Sequence, residues 1–508
     1  MGVLAWITLL PLFGAGLVML VPRDEEAIHR GLGLLTALVT FAVSLMILPD
    51  FDSSQAGFQL EVDKVWIAPL GIRFHLGIDG ISLWLVLLTT FLMPVTLLSP
   101  QAIGIRNVRV REFIVAMLVL ESGMVGAFLS LDLFVFYVFW ELMLIPMYFI
   151  IGIWGGERRL YAAIKFVIYT LVGSLLMLVA ILYLYSQWHA ATGSYSFDYT
   201  NLSHLTLPIV PQMLCFGAFA LAFAIKVPIF PLHTWLPDAH VEAPTAGSVV
   251  LASIMLKLGT YGFLRLAVPL FPGAAMDPTV RTIVLALAVI GIVYGALVSL
   301  VQPDFKKLVA YSSVSHLGFV MLGIFALTVQ SVQGALMVMI NHGLSTGALF
   351  FLIGMIYERR HTRLIESYGG IARAVPMFAT LLTIVSLSSI GVPGTNGFVG
   401  EFLVLIGAFR TTPVMTLIAT TSVIIAAAYL LWAIQRILFN PLDKPENEHI
   451  PDLNRRELLL MAPLMAGIIW LGVYPAPVLR RMEVSAETFV RTVQTRAAQR
   501  TALAGQER

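Results

Sequence analysis

The sequence predicts an all-α polytopic membrane protein of about fourteen transmembrane helices, with two inverted five-helix repeats (spans 4–8 and 9–13) and helices 7 and 12 broken. Three observations lead there. Of 508 residues, 58% are hydrophobic and 12% charged, where a soluble domain carries roughly 25% charged residues. The apolar runs reach the ~20 residues that a helix needs to cross a bilayer. They lack the alternation of barrel strands, the other way to satisfy backbone groups in lipid. Finally, "AIKVP" at 224–228 is echoed by "SIGVP" at 389–393, each inside an overlong apolar segment.

In chain order the spans are 2–22, 31–49, 80–99, 112–130, 132–154, 162–187, 208–230, 245–269, 281–301, 306–328, 332–357, 375–408, 413–437 and 457–478. The first lacks a basic flank and a small-residue cleavage site, so it reads as a span and not a signal peptide. Odd-numbered connections hold 18 Lys and Arg, even-numbered ones 5. The positive-inside rule therefore puts the odd connections in the cytoplasm and both termini outside. The basic tail, Arg480 to Arg508, argues the other way but is a single segment. The stretches 50–79 and 188–207 lie on the outer side, too short for separate domains, and 438–456 is a polar inner loop.

Pro and Gly interrupt spans 7 and 12 near mid-bilayer. The breaks lie five spans apart, dividing the chain into N-terminal helices (1–111), one five-helix unit (112–269), a second (281–437), and a final inner loop, helix and outer tail (438–508). An odd helix number makes the units inverted. Paired interruptions of this kind point to a transport site.

Charges inside a membrane are costly, roughly 2.5–3.5 kcal/mol each at mid-bilayer, and functional by default. Here they form a set: Glu141, Lys226, Lys257, His316, His342 and Glu401. Glu121 is a further candidate, whereas Asp79, Asp132 and His233 lie nearer ends or breaks. Asp304, Lys306 and Lys307 begin span ten and read as interfacial. A static Glu141–Lys226 ion pair and ordinary core histidines are the bland alternatives. Burial favours the neutral form of such groups and an approaching opposite charge favours the ionised form. Carboxylates, imidazoles and amines spread over six spans are thus the parts of a proton relay. The one cysteine, Cys215, reads as a small buried apolar residue, with no cluster for iron–sulfur or zinc.

The stretches "FVFYVFWELMLIPMYFIIGIWGG", "KVPIFPLHTWLPDAHVEAPTAGSVVLASIMLKLGTYG", "QPDFKKLVAYSSVSHLGFVMLGI" and "GVPGTNGFVGEF" resemble the antiporter-like subunits of respiratory complex I, over nearly the whole chain. Glu401 stands where the L and N subunits and Mrp antiporter subunits typically carry lysine. The chain ends about thirty residues after span fourteen, leaving no room for the lateral helix of subunit L.

The resemblance implies a proton-translocating subunit of NADH:quinone oxidoreductase in the bacterial inner membrane. Glu141 and Lys226 would be the ion pair of the first half-channel and Lys257 the next relay residue, linked through His316 to the centre. Glu401 would carry the proton in the second half-channel, with His233 and His342 supporting. No cofactor is expected in this chain: NADH, FMN, iron–sulfur clusters and quinone belong to partner subunits. The expected partners are other membrane-arm subunits, especially L and N, and the lipid bilayer, with no nucleic acid. Competing readings are a subunit of an Mrp-type Na⁺/H⁺ antiporter or a membrane-bound hydrogenase, and a structural membrane scaffold whose charges only specify packing.

Overall fold

A computed structural model describes residues 2–99 and 109–506. Two helices, α1 (Val3–Leu20) and α2 (Glu26–Asp50), precede a hairpin of β1 (Gln59–Ile67) and β2 (Ile72–Ile78). Then come α3 (Leu83–Leu98), α4 (Val110–Leu129), α5 (Leu133–Trp154), α6 (Arg159–Thr192), α7 (Ile209–Lys226), α8 (Trp235–Glu242) and α9 (Thr245–Leu270). The second half holds α10 (Pro278–Leu300), α11 (Phe305–Ala326), α12 (Val329–Arg360), α13 (Pro376–Ile390), α14 (Asn396–Phe409), α15 (Pro413–Phe439), α16 (Arg455–Val473) and α17 (Ala476–Gln506). Among the described residues, twelve helices are long and apolar enough to cross a membrane, and α3, α13 and α14 are shorter apolar helices.

Both interruptions fall where the sequence places them. The first helix ends at Lys226, turns through Val227–Thr234, and resumes at Trp235. Trp235 Nε1 donates to the Ile225 carbonyl at 2.9 Å, tying the two pieces together. The second ends at Ile390. Gly391 follows with φ 87° and its N–H bonds back to Leu387 and Ser388, the left-handed stop that glycine adopts without steric cost.

Burial separates the helices into classes. Every residue in the most apolar stretches of α9 and α12 is buried within the chain, and α11 nearly so, whereas only about a third or less of α2 and α15 is buried. The most enclosed helices are therefore those carrying Lys257, His342 and His316. The π-helical turns Leu251–Met255 and Phe263–Ala267 flank Lys257 within α9. Such turns free backbone carbonyls and often mark functional sites.

Three features were not expected. Within the outer stretch 50–79, residues 59–78 form an antiparallel hairpin, in a chain read as all-α. The tail forms the long helix α17, which crosses one end of the bundle: Ser485 Oγ accepts from Gly80 N, and Arg496 donates to the Ser203 carbonyl. Lys306, at the start of α11, is buried within the chain, and Nζ donates to the Ala243 carbonyl at 2.6 Å. Arg106, counted in the third connection, and Arg508 of the tail lie outside the described residues.

Candidate functional site: a buried line of ionisable side chains

The central part of the site is two direct contacts joined by a pair of facing imidazole rings. Lys257 Nζ lies 2.6 Å from both the Ala252 carbonyl oxygen and His342 Nδ1. The carbonyl sits in the first π-helical turn, five residues before the lysine. When Lys257 is an ammonium, which only donates, His342 Nδ1 is the acceptor and its proton lies on Nε2. The His342 and His316 ring centroids are 5.7 Å apart. His316 Nδ1 then meets Glu401 Oε1 at 2.7 Å. Lys257, His342, His316 and Glu401 thus form one line across four helices, α9, α12, α11 and α14.

A small cavity adjoins this line, lined by His316, His342, Glu401, Asn341, Ser345 and Ser389 among others. It offers about 20 Å³ for the centre of a water molecule, enough for one where roughly 10–15 Å³ is the minimum. His342 Nε2 and Asn341 Oδ1 are both buried without a hydrogen-bond partner.

The first half is organised differently. Glu141 lies just before a one-residue helical interruption at Met143. Its Oε1 is buried without a partner. Lys226 Nζ sits 4.9 Å above the Trp140 ring and 5.9 Å from that of Phe166, an attraction worth about 2 kcal/mol when desolvated. Glu141 is the charged group whose field reaches Lys226, but the two form no direct ion pair here. The expected close pairing is replaced by a lysine resting on an aromatic face.

His233 lies in the first break, its ring packed near Phe230 and Tyr294 with centroid distances of 5.7 and 5.0 Å. It is buried, with Nδ1 unpartnered. Glu121 is fully buried and neither carboxylate oxygen has a partner. Asp132 caps α5, the Glu141 helix: Oδ1 accepts from Phe134 N at 2.9 Å and Val135 N at 3.1 Å.

Sequence reasoning missed two arrangements. Arg265 and Asp79 form a buried ion pair at 2.5 Å; a helix-end arginine in an otherwise apolar run was the available signal. At the same end of the bundle, His75 on β2 bridges Asp198 (Nδ1, 2.6 Å) and Glu61 (Nε2, 2.8 Å). That cluster needs the hairpin, so it was invisible without it. Among the described residues, no group of three His, Cys, Asp or Glu is placed to hold a metal ion.

Residues 130–426 match the family described as NADH:quinone oxidoreductase/Mrp antiporter, TM. The chain is 47% identical over 488 residues to NADH-quinone oxidoreductase subunit M of Rhodobacter capsulatus, covering 93% of each. It is similar to a chain of respiratory complex I from Thermus thermophilus, with TM-score 0.86 and 33% identity over 96% of this chain and 99% of that one. A chain of the Mrp complex from Dietzia sp. DQ12-45-1b shares the fold, with TM-score 0.82 at 21% identity over 98% and 99% of the two chains.

Proposed function

The chain belongs to the NADH:quinone oxidoreductase/Mrp antiporter membrane-subunit family and is a membrane subunit of the NADH:quinone oxidoreductase complex; from this we propose that it moves protons along the line Lys257, His342, His316, Glu401. The carrying observation is the pair of direct contacts, Lys257 to His342 and His316 to Glu401, with the two imidazole rings facing one another between them. Lys257 hands a proton to His342 Nδ1 while Nε2–H releases one toward His316. One water in the adjoining cavity spans the gap between the rings. His316 Nδ1–H then gives its proton to the Glu401 carboxylate, 2.7 Å away.

Glu141 and Lys226 gate the first step. When Glu141 approaches, it holds the charge on Lys226; when it withdraws, Lys226 releases a proton toward Lys257. Moving one charge against 100 mV requires about 2.3 kcal/mol. Making and breaking one charge pair at an effective dielectric near 20 changes the energy by about 4 kcal/mol, so a single gated pair is sufficient. His233 supports the first break.

Quinone reduction elsewhere in the complex drives the gate, with NADH, FMN, iron–sulfur clusters and quinone held by partner subunits. The units 112–269 and 281–437 act as the two half-channels. The L and N subunits are the expected neighbours in the bacterial inner membrane, and both termini face the periplasm.

The test is Lys257→Met in inverted membrane vesicles, with assembly checked first. Turnover and NADH-driven proton uptake per assembled complex should both drop by roughly tenfold, about 1.4 kcal/mol in rate. Parental values for both would remove Lys257 from the route.

A further inference from the structure

The second break carries more hydrogen bonding than a helix interruption needs. Asn341 on α12 donates from Nδ2 to the Asn396 carbonyl at 2.6 Å. Asn396, the first residue of α14, donates from its own Nδ2 to the Asn341 carbonyl at 3.3 Å. Its Oδ1 accepts from Ser345 Oγ at 3.1 Å and also from Ser388 Oγ, which belongs to α13. The Ser345 and Ser388 hydroxyls are themselves 2.8 Å apart. All four side chains are buried. Two asparagines and two serines therefore join both pieces of the broken helix to α12.

We propose that Asn341 and Asn396 are positioning residues for proton transfer, forming a reciprocal amide latch that holds α14, and with it Glu401, against His316. This rests on the reading that the proton passes from His316 to Glu401.

Glu401 lies five residues beyond Asn396 on the same helix, so the start of α14 sets the place of the carboxylate. The linker between the pieces includes Gly391 and Gly394, both at positive φ. A linker of that kind does not by itself define where the following helix points. Asn341 immediately precedes His342, so one α12 segment positions both the imidazole and the latch. Asn341 Oδ1, which the latch leaves free, is buried and lines the cavity shared by His316, His342 and Glu401. It supplies an acceptor that orients a water there. Proton transfer needs donor and acceptor within about 2.6–3.2 Å, and a 1 Å misplacement can cost a factor of about 100.

The experiment uses the assembled complex in inverted vesicles carrying Asn341→Ala, Asn396→Ala, Glu401→Gln, or Asn341→Ala with Glu401→Gln. Turnover per assembled complex, proton uptake per NADH and the pH profile of turnover are read together. The latch predicts that either asparagine variant lowers turnover roughly tenfold and displaces the pH profile, because losing the latch moves the Glu401 carboxylate away from the His316 imidazole. The double variant should fall no further than Glu401→Gln alone. Where an alanine variant does not assemble, Asn341→Ser is read in the same way.

Asparagine variants with parental turnover per complex and a parental pH profile overturn the latch, whatever they do to the amount assembled. If Glu401→Gln is itself parental in both readouts, the relay reading fails, and the latch with it. If Glu401→Gln is impaired and Asn341→Ala is not, only the latch fails.

Discussion

Raising the pH from 7 to 9 should loosen the β1–β2 hairpin from the end of the helix bundle. His75 is nearly buried between Asp198 and Glu61, and Asp63 and Arg73 form an ion pair beside it on the same hairpin. Burial alone would lower the His75 pKa. The hydrogen bonds to Asp198 and Glu61, with the charges of Asp198 and Asp63, more than reverse that and push it from 6.5 up to about 9. Asp198 moves the opposite way: burial raises it, but hydrogen bonds from His75 and Thr200 hold it below the usual carboxylate value.

The signs define a window. A histidine raised on folding contributes fully below 6.5 and loses its contribution as pH climbs through 9. A depressed aspartate contributes above its ordinary value and loses its share only in acid. From 6.5 and about 9, linkage makes the charged His75 worth about 2–3 kcal/mol at pH 7 and about 0.4 at pH 9. The loss of about 2 kcal/mol corresponds to roughly a thirtyfold fall in protection.

Hydrogen–deuterium exchange of residues 59–78 in the assembled complex measures this, once corrected for the intrinsic pH dependence of exchange. His75→Gln should be less protected at pH 7 and nearly flat from pH 7 to 9. A parental hairpin whose protection does not change over that range, or a His75→Gln hairpin that tracks the parent, would refute the reasoning.

Two further predictions concern the same end of the bundle. Asp132→Ala removes the cap of the Glu141 helix and the acceptor for Arg73 N, which should lower stability by about 1–2 kcal/mol; faster amide exchange in residues 133–137 reports it. Arg265→Met strands Asp79 without its buried partner and should cost about 3–5 kcal/mol, read as a lower unfolding temperature of the complex. Asp79→Asn in the Arg265→Met background should recover part of that loss.

The architecture was readable because lipid leaves few choices. Apolar runs had to be helices, and Val227-Pro228 and Gly391-Val392-Pro393 had to end them. The charged members of the site were equally visible, since Lys257, His316, His342 and Glu401 stand alone in apolar text. Their connectivity was not. The sequence places His342 among supporting residues, yet it accepts directly from Lys257. That contact depends on how α9 and α12 pack, which one chain of letters does not encode locally.

The hairpin was missed although Ile72, Phe74, Leu76 and Ile78 alternate with polar or small residues. The preceding β1 strand is irregular and mostly exposed, so it masked the period. The contact of Lys306 Nζ with the carbonyl at the end of α8 was not legible, because it depends on how α8 and α11 pack. The separation of Glu141 from Lys226 also escaped the sequence, because attraction predicts contact while Trp140 provides a competing aromatic face.

The central claim is that buried acid and base groups carry an obligatory proton step coupled to electron transfer. Glu141→Ala in inverted membrane vesicles tests it most directly, with assembly of the complex established first and NADH:quinone reductase activity and NADH-driven proton uptake recorded together. The account predicts that both fall sharply in the assembled complex, because the gate on Lys226 is gone. Both remaining at parental levels would contradict it and reduce Glu141 to a packing residue.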